Sequence, residues 1–300
     1  MPRGWLFPAN TGYARERAIN AFAIRPLPGA PGVLQSQLSK ACTLPGALHA
    51  SAAEMTKLLE SSVRRSNFRV VALDVGQAAC VAFMEGDTCV GYFDVGAPLF
   101  FNAASFPKTF SHNFGTGQFV FLSHWDYDHF ALAYKYPLLQ TMQWYAPDQP
   151  VGPNTARLQR RLGTRLKFVT GNSTTSHSTI ASATGTNPKD RNSTGYVLRI
   201  EKGARKTLLT GDADYTFIPN NLRVSNSSVM IPHHGGAGSK PPAPSNNVNC
   251  VAVASYGTPN TYRHPNEPHL RVHTKAGWKV QRTATSGNPA RQRGPRQLHP

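Results

Sequence analysis

The 300-residue chain carries 32 lysines and arginines against 15 acidic residues, a formal charge of +17. Hydrophobic residues make up 40% and charged ones only 16%, which excludes a mainly disordered chain and suits one large core with ragged ends. No run approaches the ~18–20 apolar residues of a membrane span, and Met1 to Asn20 has no apolar stretch of signal-peptide length. A soluble, cytoplasmic protein without membrane contact is expected, with a surface that attracts polyanions, nucleic acid first. Cys42, Cys80, Cys89 and Cys250 form no C-x-x-C pair, so free buried thiols in a reducing compartment are expected.

Three regions follow from the patterning. Residues 1–67, rich in Pro, Ala and Arg, are expected to be an extension, partly disordered or packed on the core, with a helix over Ala52–Val63. Regular β signal begins at Phe68. Phe68–Leu73, Ala79–Met84 and Cys89–Phe93 alternate as strands, the latter two flanking a turn at Glu85-Gly86-Asp87 that sets Cys80 and Cys89 out of register. Phe119–Leu122 reads as a buried strand, and His129–Tyr136 as a helix halted by Pro137. Trp144–Ala146 is a short strand, and Asn154–Leu162 a basic helix with Asn154 as N-cap. Lys167–Val169 is another strand. Gly171–Asn192, dominated by Ser, Thr, Asn and Gly, is expected as a long polar loop. A hairpin follows over Tyr196–Ile200 and Thr207–Leu209, then strands at Val229–Pro232 and Val248–Ala254, a helix within Pro265–Lys275 and a strand at Trp278–Val280. The central domain spans 68–281. The basic tail, 282–300, reads as disordered.

The densest chemistry lies in His124-Trp125-Asp126-Tyr127-Asp128-His129, just past a strand. Imidazole and carboxylate at this density suit Zn²⁺ or Mn²⁺. In an extended segment His124, Asp126 and Asp128 share one side, and a tight turn brings His129 round. The blander reading is a polar loop opening a helix with Asp128 at its dipole. Asp74, Asp94 and Asp212 also stand at strand ends, and His233-His234 and His264 follow the last long strands. Each alone is explained by a turn or cap; Asp212 could cap the segment after it, and Asp74 could be a turn residue. Together they repeat one grammar: strand, metal-capable residue, turn.

These motifs, with Leu73-Asp74-Val75-Gly76-Gln77, Phe93-Asp94-Val95-Gly96, Asn192-Ser193, Leu209-Thr210-Gly211-Asp212, Pro232-His233-His234-Gly235 and Arg263-His264-Pro265, resemble the metallo-β-lactamase superfamily. The likeness is greatest to the hydrolase domain of competence DNA-uptake proteins of the ComEC type. It spans about Phe68 to Val280 and leaves out the membrane channel of those proteins. It implies an α/β fold, an αββα sandwich of two mixed sheets flanked by helices, with a metal site at one sheet edge. By position, His124 and Asp126 would hold a first ion, and Asp128 and His129 a second. Asp212 would bridge them, and His234 in preference to His233 would complete the second position. Asp94, Asp74 and Asn192 would be outer carboxylates or weak ligands. Asp126 replaces the superfamily's commoner histidine, and Asn192 stands where many members have a third histidine. The cofactor expected is therefore two divalent ions, Zn²⁺ or Mn²⁺, or one ion in the second position only.

The expected activity is metal-dependent hydrolysis of a phosphodiester, DNA or RNA, by metal-activated water, with Asp128 orienting the nucleophile. His264 would protonate the leaving group or bind phosphate, or be a structural turn residue. Arg157, Arg160, Arg161, Arg165 and Lys167, and separately Arg271 and Lys275, are the candidate phosphate contacts. A small ester, lactone, thioester or cyclic nucleotide is the alternative substrate. A nucleic-acid-binding module with a degenerate metal site is a third reading.

Overall fold

The computed structural model describes residues 48–246, 249–284 and 293–298. Two mixed sheets pack face to face. The first has the order β1-β7-β6-β5-β4-β3-β2-β15, from Leu48–Ser51 (β1), Phe68–Ala72 (β2), Cys80–Glu85 (β3), Thr88–Val95 (β4), Phe119–Phe121 (β5), Gln143–Pro147 (β6), Leu166–Thr170 (β7) and Arg296–Leu298 (β15). The second has the order β14-β13-β12-β11-β10-β9-β8, from Ser173–Thr174 (β8), Ser178–Ser182 (β9), Tyr196–Lys202 (β10), Arg205–Leu209 (β11), Ser228–Met230 (β12), Val251–Ala254 (β13) and Lys279–Arg282 (β14). In each sheet antiparallel hairpins give way to parallel strands: β4 to β7 run parallel with β1, and β11 to β14 run parallel.

The period-2 alternation of the strands sorts side chains into three apolar layers. Phe83, Phe93, Phe119 and Phe121 meet Ile180, Leu198, Leu209 and Met230 between the sheets. Val120, Leu122 and Trp144 face outward onto the helix Pro153–Leu162, burying Leu158 and Leu162. Val197, Val229 and Ala252 face the other way, onto Leu270 of the helix Glu267–Lys275 and onto Trp278. This is the αββα order, with strands buried on both faces as their near-continuous apolar runs require.

Residues 48–67 take the packed form of the two expected: β1 is the parallel edge strand beside β7, and Ala52–Val63 buries Met55, Leu59 and Val63 among the inter-sheet residues. Several expectations are corrected. The tail is ordered at 293–298, where β15 pairs antiparallel with β2 and Leu298 is fully buried. The polar stretch after Gly171 contains β8 and β9, the latter hydrogen-bonded along β10. Its Ser178 and Thr179 are small enough to be buried in a sheet. The basic helix starts at Pro153 with Gly152 as N-cap, not Asn154. Cys80, Cys89 and Cys250 are buried thiols outside any disulfide, with Cys89 opposite Met84; Cys42 and Val248 lie outside the described residues. Among the described residues no helix is long and apolar enough to cross a membrane.

Candidate metal centre

The parallel strands β4, β5, β11, β12 and β13 all deliver their C-terminal ends to one edge of the sandwich, and the polar residues that follow them converge there. Beyond β5 the chain does not stay extended. It turns at Asp126 into a short helix, Tyr127–Phe130, whose first turn carries Asp128 and His129. The segment opens a helix, as the blander reading has it, and its side chains also gather as ligand-type groups.

Close backbone approach makes this possible. Ala79 N–H donates to the Asp128 carbonyl at 3.0 Å, and Gly96 lies so near that a Cβ there would sit 1.7 Å from the same oxygen. Gly211, at φ +55°, takes the sharp turn after β11 that brings Asp212 inward, and a Cβ there would meet Ser123 at 2.6 Å.

At the centre, His129 Nε2 lies 3.1 Å from Asp212 Oδ1, and His234 Nε2 lies 3.2 Å from Asp128 Oδ2 and 3.7 Å from Asp212 Oδ1. His124 Nε2 is 3.5 Å from Asp126 Oδ2 and 4.0 Å from Asp212 Oδ2. The two oxygens of Asp212 thus face different histidines. Two overlapping sets of ligand-type atoms result: His124, His129 and Asp212, and Asp128, His129 and His234.

The outer hydrogen bonds decide the state of each ring. Asp94 accepts from Ser123 N–H at 2.7 Å, from the Ser123 hydroxyl at 2.8 Å and from His129 Nδ1 at 2.8 Å. With its proton given to Asp94, Ser123 Oγ accepts from His124 Nδ1 at 2.9 Å. His234 Nδ1 donates to the Ser255 carbonyl at 3.0 Å. All three rings therefore carry a proton on Nδ1, and a neutral ring turns an Nε2 lone pair inward. Those three Nε2 atoms are buried and make no hydrogen bond of acceptable geometry. They face carboxylates, so acceptor meets acceptor. Only a positive charge reconciles them, either as extra protons or as a cation.

The ionisation directions agree. Burial penalises charge on Asp212, yet the cationic forms of His129 and His234 would hold its carboxyl well below the ordinary range. Burial likewise works against charged His129, but Asp212 and Asp94 raise it well above an ordinary histidine. Burial opposes charge on His234 and Asp128 as well, yet Asp212 and then Asp128 raise His234, and His234 lowers Asp128. A divalent cation fits this donor set of imidazole nitrogens and carboxylate oxygens.

Other expected site residues are placed as follows. Asp94 lies on the outer side of the His129 ring, bonded to its Nδ1. Asp74 does not reach the centre: it accepts from Gly76 N–H at 3.2 Å and pairs with Arg293 at 2.5 Å, as a turn residue that also pins the tail. Asp212 caps nothing; Asp214 caps the next turn, accepting from Thr216 N–H at 2.9 Å. His233 is exposed, so of the two neighbours His234 joins the centre. Asn192 lies half-buried in the short helix Arg191–Thr194.

His264 stands at the rim. Its ring lies 6.2 Å from that of His234, and Gln77 Nε2 is 3.0 Å from its Nδ1. Burial, then the neighbouring His234 and His233, push its pKa down to about 4. Tyr262 lies 5.7 Å from His264 and edge-on to Phe101 at 5.6 Å, both rings exposed. Thr261 N–H and hydroxyl donate to Asn102 Oδ1, tying the two aromatic loops together.

The basic clusters are not at the centre. The helix Pro153–Leu162 runs back from the site edge, and β7 starts level with the N-terminal end of β6, Leu166 opposite Trp144. Arg160, Arg161 and Arg165 are exposed toward the opposite edge, with Arg157 half-buried on the same helix, and Lys167 is paired with Glu54 at 2.5 Å. Arg271 and Lys275 are exposed on the helix that returns to β14, on the other outer layer. Residues missed by sequence reasoning are Ser123, Ser255, Gln77 and Arg191. Ser123 and Gln77 stood within the quoted motifs; Ser255, bonding through its carbonyl, left no side-chain signal.

No family model and no curated protein matches the sequence. Solved structures similar to it include the metallo-beta-lactamase fold protein YhfI from Bacillus subtilis, at 18% identity over 54% of this chain and 70% of that one, TM-score 0.34. Zn(2+)-bound PqqB from Methylobacterium extorquens is 11% identical over 71% of this chain and 97% of that one, TM-score 0.39. Tm1679, a metal-dependent hydrolase of the beta-lactamase superfamily, is 12% identical over 71% and 95%, TM-score 0.43. The chemistry of the centre rests on its own side chains.

Proposed function

We propose that this protein is a metal-dependent hydrolase acting on a phosphodiester of DNA or RNA. The observation that carries the metal-dependent part is the set of three buried Nε2 atoms, on His124, His129 and His234, aimed at shared carboxylates without hydrogen-bond partners. His129, His234, Asp128 and one oxygen of Asp212 would hold one ion; His124, Asp126 and the other oxygen of Asp212 would hold another. Bound there, a divalent ion supplies Lewis-acid polarisation and a water of lowered pKa.

The chain's own residues supply the rest. Asp128, a carboxylate of this set whose side chain is 13% exposed, reaches solvent and can accept a hydrogen bond from an incoming water. His264 receives the Gln77 amide proton at Nδ1 and so presents N–H at Nε2. A ring with a pKa near 4 is neutral at pH 7. It therefore suits hydrogen bonding to a phosphoryl or leaving oxygen better than full proton transfer. The exposed rings of Tyr262 and Phe101 beside it support a substrate with planar bases, since base stacking contributes about 1–3 kcal/mol without reading sequence. The likeness to uptake-type hydrolases and the charge of +17 point the same way.

A second reading, a small ester, lactone, thioester or cyclic nucleotide, is favoured by the placement of the basic clusters away from the centre. One experiment separates them. Metal-stripped protein is supplied with Mn²⁺ or Zn²⁺ and given linear DNA, circular DNA, RNA and small phosphodiesters and esters, beside an Asp128→Ala/Asp212→Ala control. Metal-restored polynucleotide cleavage absent from the control is expected. Turnover of small substrates alone would move the assignment to the second reading.

A further inference from the structure

The two ligand sets are unequal. His129 belongs to both, but its Nδ1 is committed to Asp94, so it has one nitrogen to offer and can serve one ion. An ion taking His129 together with His234, Asp128 and Asp212 leaves the other position with His124, one oxygen of Asp212, and Asp126. Asp126 is not free. Arg191 directs both Nε, at 2.6 Å, and Nη2, at 2.5 Å, onto its Oδ1. Only Oδ2 still faces His124.

The guanidinium is built into place. The Arg191 carbonyl accepts from Gln149 Nε2 at 2.9 Å, and Nη1 reaches the Pro150 carbonyl at 3.4 Å. Gln149 Oε1 in turn accepts from Trp125 N–H, inside the ligand run itself. Arg191 precedes Asn192, so the segment that lacks a ligand histidine contributes a cation instead. An always-charged guanidinium neutralises Asp126 and repels a divalent ion beside it.

Resting on the metal-dependent reading above, we propose that this centre is asymmetric by design. One divalent ion binds tightly at His129, His234, Asp128 and Asp212, and Arg191 acts as a positioning residue that keeps the His124–Asp126 position weak. Outer partners of ligands change metal affinity by roughly 10- to 100-fold. With Arg191 and Asp126 each about a third exposed, at 35% and 30%, the effect belongs at the lower end, about tenfold.

The test is a competition titration of the metal-stripped full chain with Zn²⁺ and with Mn²⁺, with bound metal counted by elemental analysis. Wild type should take one ion tightly and a second at least about tenfold more weakly. Arg191→Met should tighten only the second, by about tenfold. Asp126→Asn, which keeps the shape of the site, should lose the second ion and retain the first. Two ions of equal affinity in wild type, an unchanged second affinity in Arg191→Met, or loss of the tight ion in Asp126→Asn would each overturn the proposal while leaving a metal-dependent hydrolase intact. Wild type that binds no ion would overturn the functional reading and this proposal with it.

Discussion

Asp94→Asn probes the centre without touching a ligand. Asp94 sits at φ +59°, a left-handed conformation that asparagine tolerates as well as aspartate, so the backbone has no reason to move. The carboxylate accepts three hydrogen bonds, from Ser123 N–H, Ser123 Oγ–H and His129 Nδ1–H. An amide keeps one acceptor oxygen, which can stay with Ser123 N–H. Its NH₂ then faces two groups that were donors. Ser123 can rotate to accept. His129 can accept only by moving its proton from Nδ1 to Nε2, which turns an N–H toward the centre and removes the lone pair. If the ring keeps its tautomer instead, a buried N–H loses its partner, at a cost of about 1–3 kcal/mol. Either route weakens metal binding by about 10- to 100-fold, equivalent to roughly 1.4–2.8 kcal/mol. A chelator competition assay on the folded variant reads this directly. Metal affinity equal to wild type, with an unchanged melting temperature, would show that Asp94 does not set the His129 tautomer.

Other outcomes follow from the same geometry. Gly96→Ala forces a Cβ into the Asp128 carbonyl; a loss of about 1–3 kcal/mol and weakened metal binding are expected in denaturant and chelator titrations, and a wild-type result in both would contradict the close approach. Leu298→Ala, in a segment that composition marks as tail, should cost about 2–5 kcal/mol in equilibrium unfolding, because Leu298 is fully buried between the sheets. No change would mean that β15 does not form. Burial pushes His273, hydrogen-bonded to Tyr215, down to about 4, so below its ordinary value of 6.5 the unfolded chain takes a proton that the folded chain refuses. Stability should therefore fall as pH drops from 6.5 toward about 4, and His273→Gln should flatten that slope; parallel slopes would refute the assignment.

What was legible in the sequence was local. The His124–His129 run declares itself because four ligand-type side chains follow one buried strand, and the choice of His234 over His233 needed only the three-dimensional turn after β12. The hairpins and the helix Ala52–Val63 were legible because their apolar spacing is regular over several residues. What escaped was carried by long-range pairing or by the backbone. β9 is built of Ser, Thr, Ile and Ala, small residues that a neighbouring strand buries but that alone read as loop. β15 takes its order from β2, more than two hundred residues earlier, and from the Arg293–Asp74 pair. Ser255 bonds His234 through a carbonyl, which every residue possesses.

The basic clusters show the deeper limit. Arg157, Arg160 and Arg161 of the helix Pro153–Leu162 stand three and four residues apart, which is local geometry alone. Whether they serve the centre depends on chain direction. The ligand-type groups gather where parallel strands end, whereas a crossover helix that starts near that edge must return the chain to where the next strand begins. Cations late in the helix, and those at the start of β7, are thereby carried away from the chemistry: Arg160, Arg161 and Arg165 to an exposed far edge, Lys167 to Glu54. The same rule places Lys275 far from the centre and Arg191, just before the antiparallel β10, beside it. Among the described residues, the cations that can reach the centre are those whose strand or loop ends at its edge, as Arg191 does.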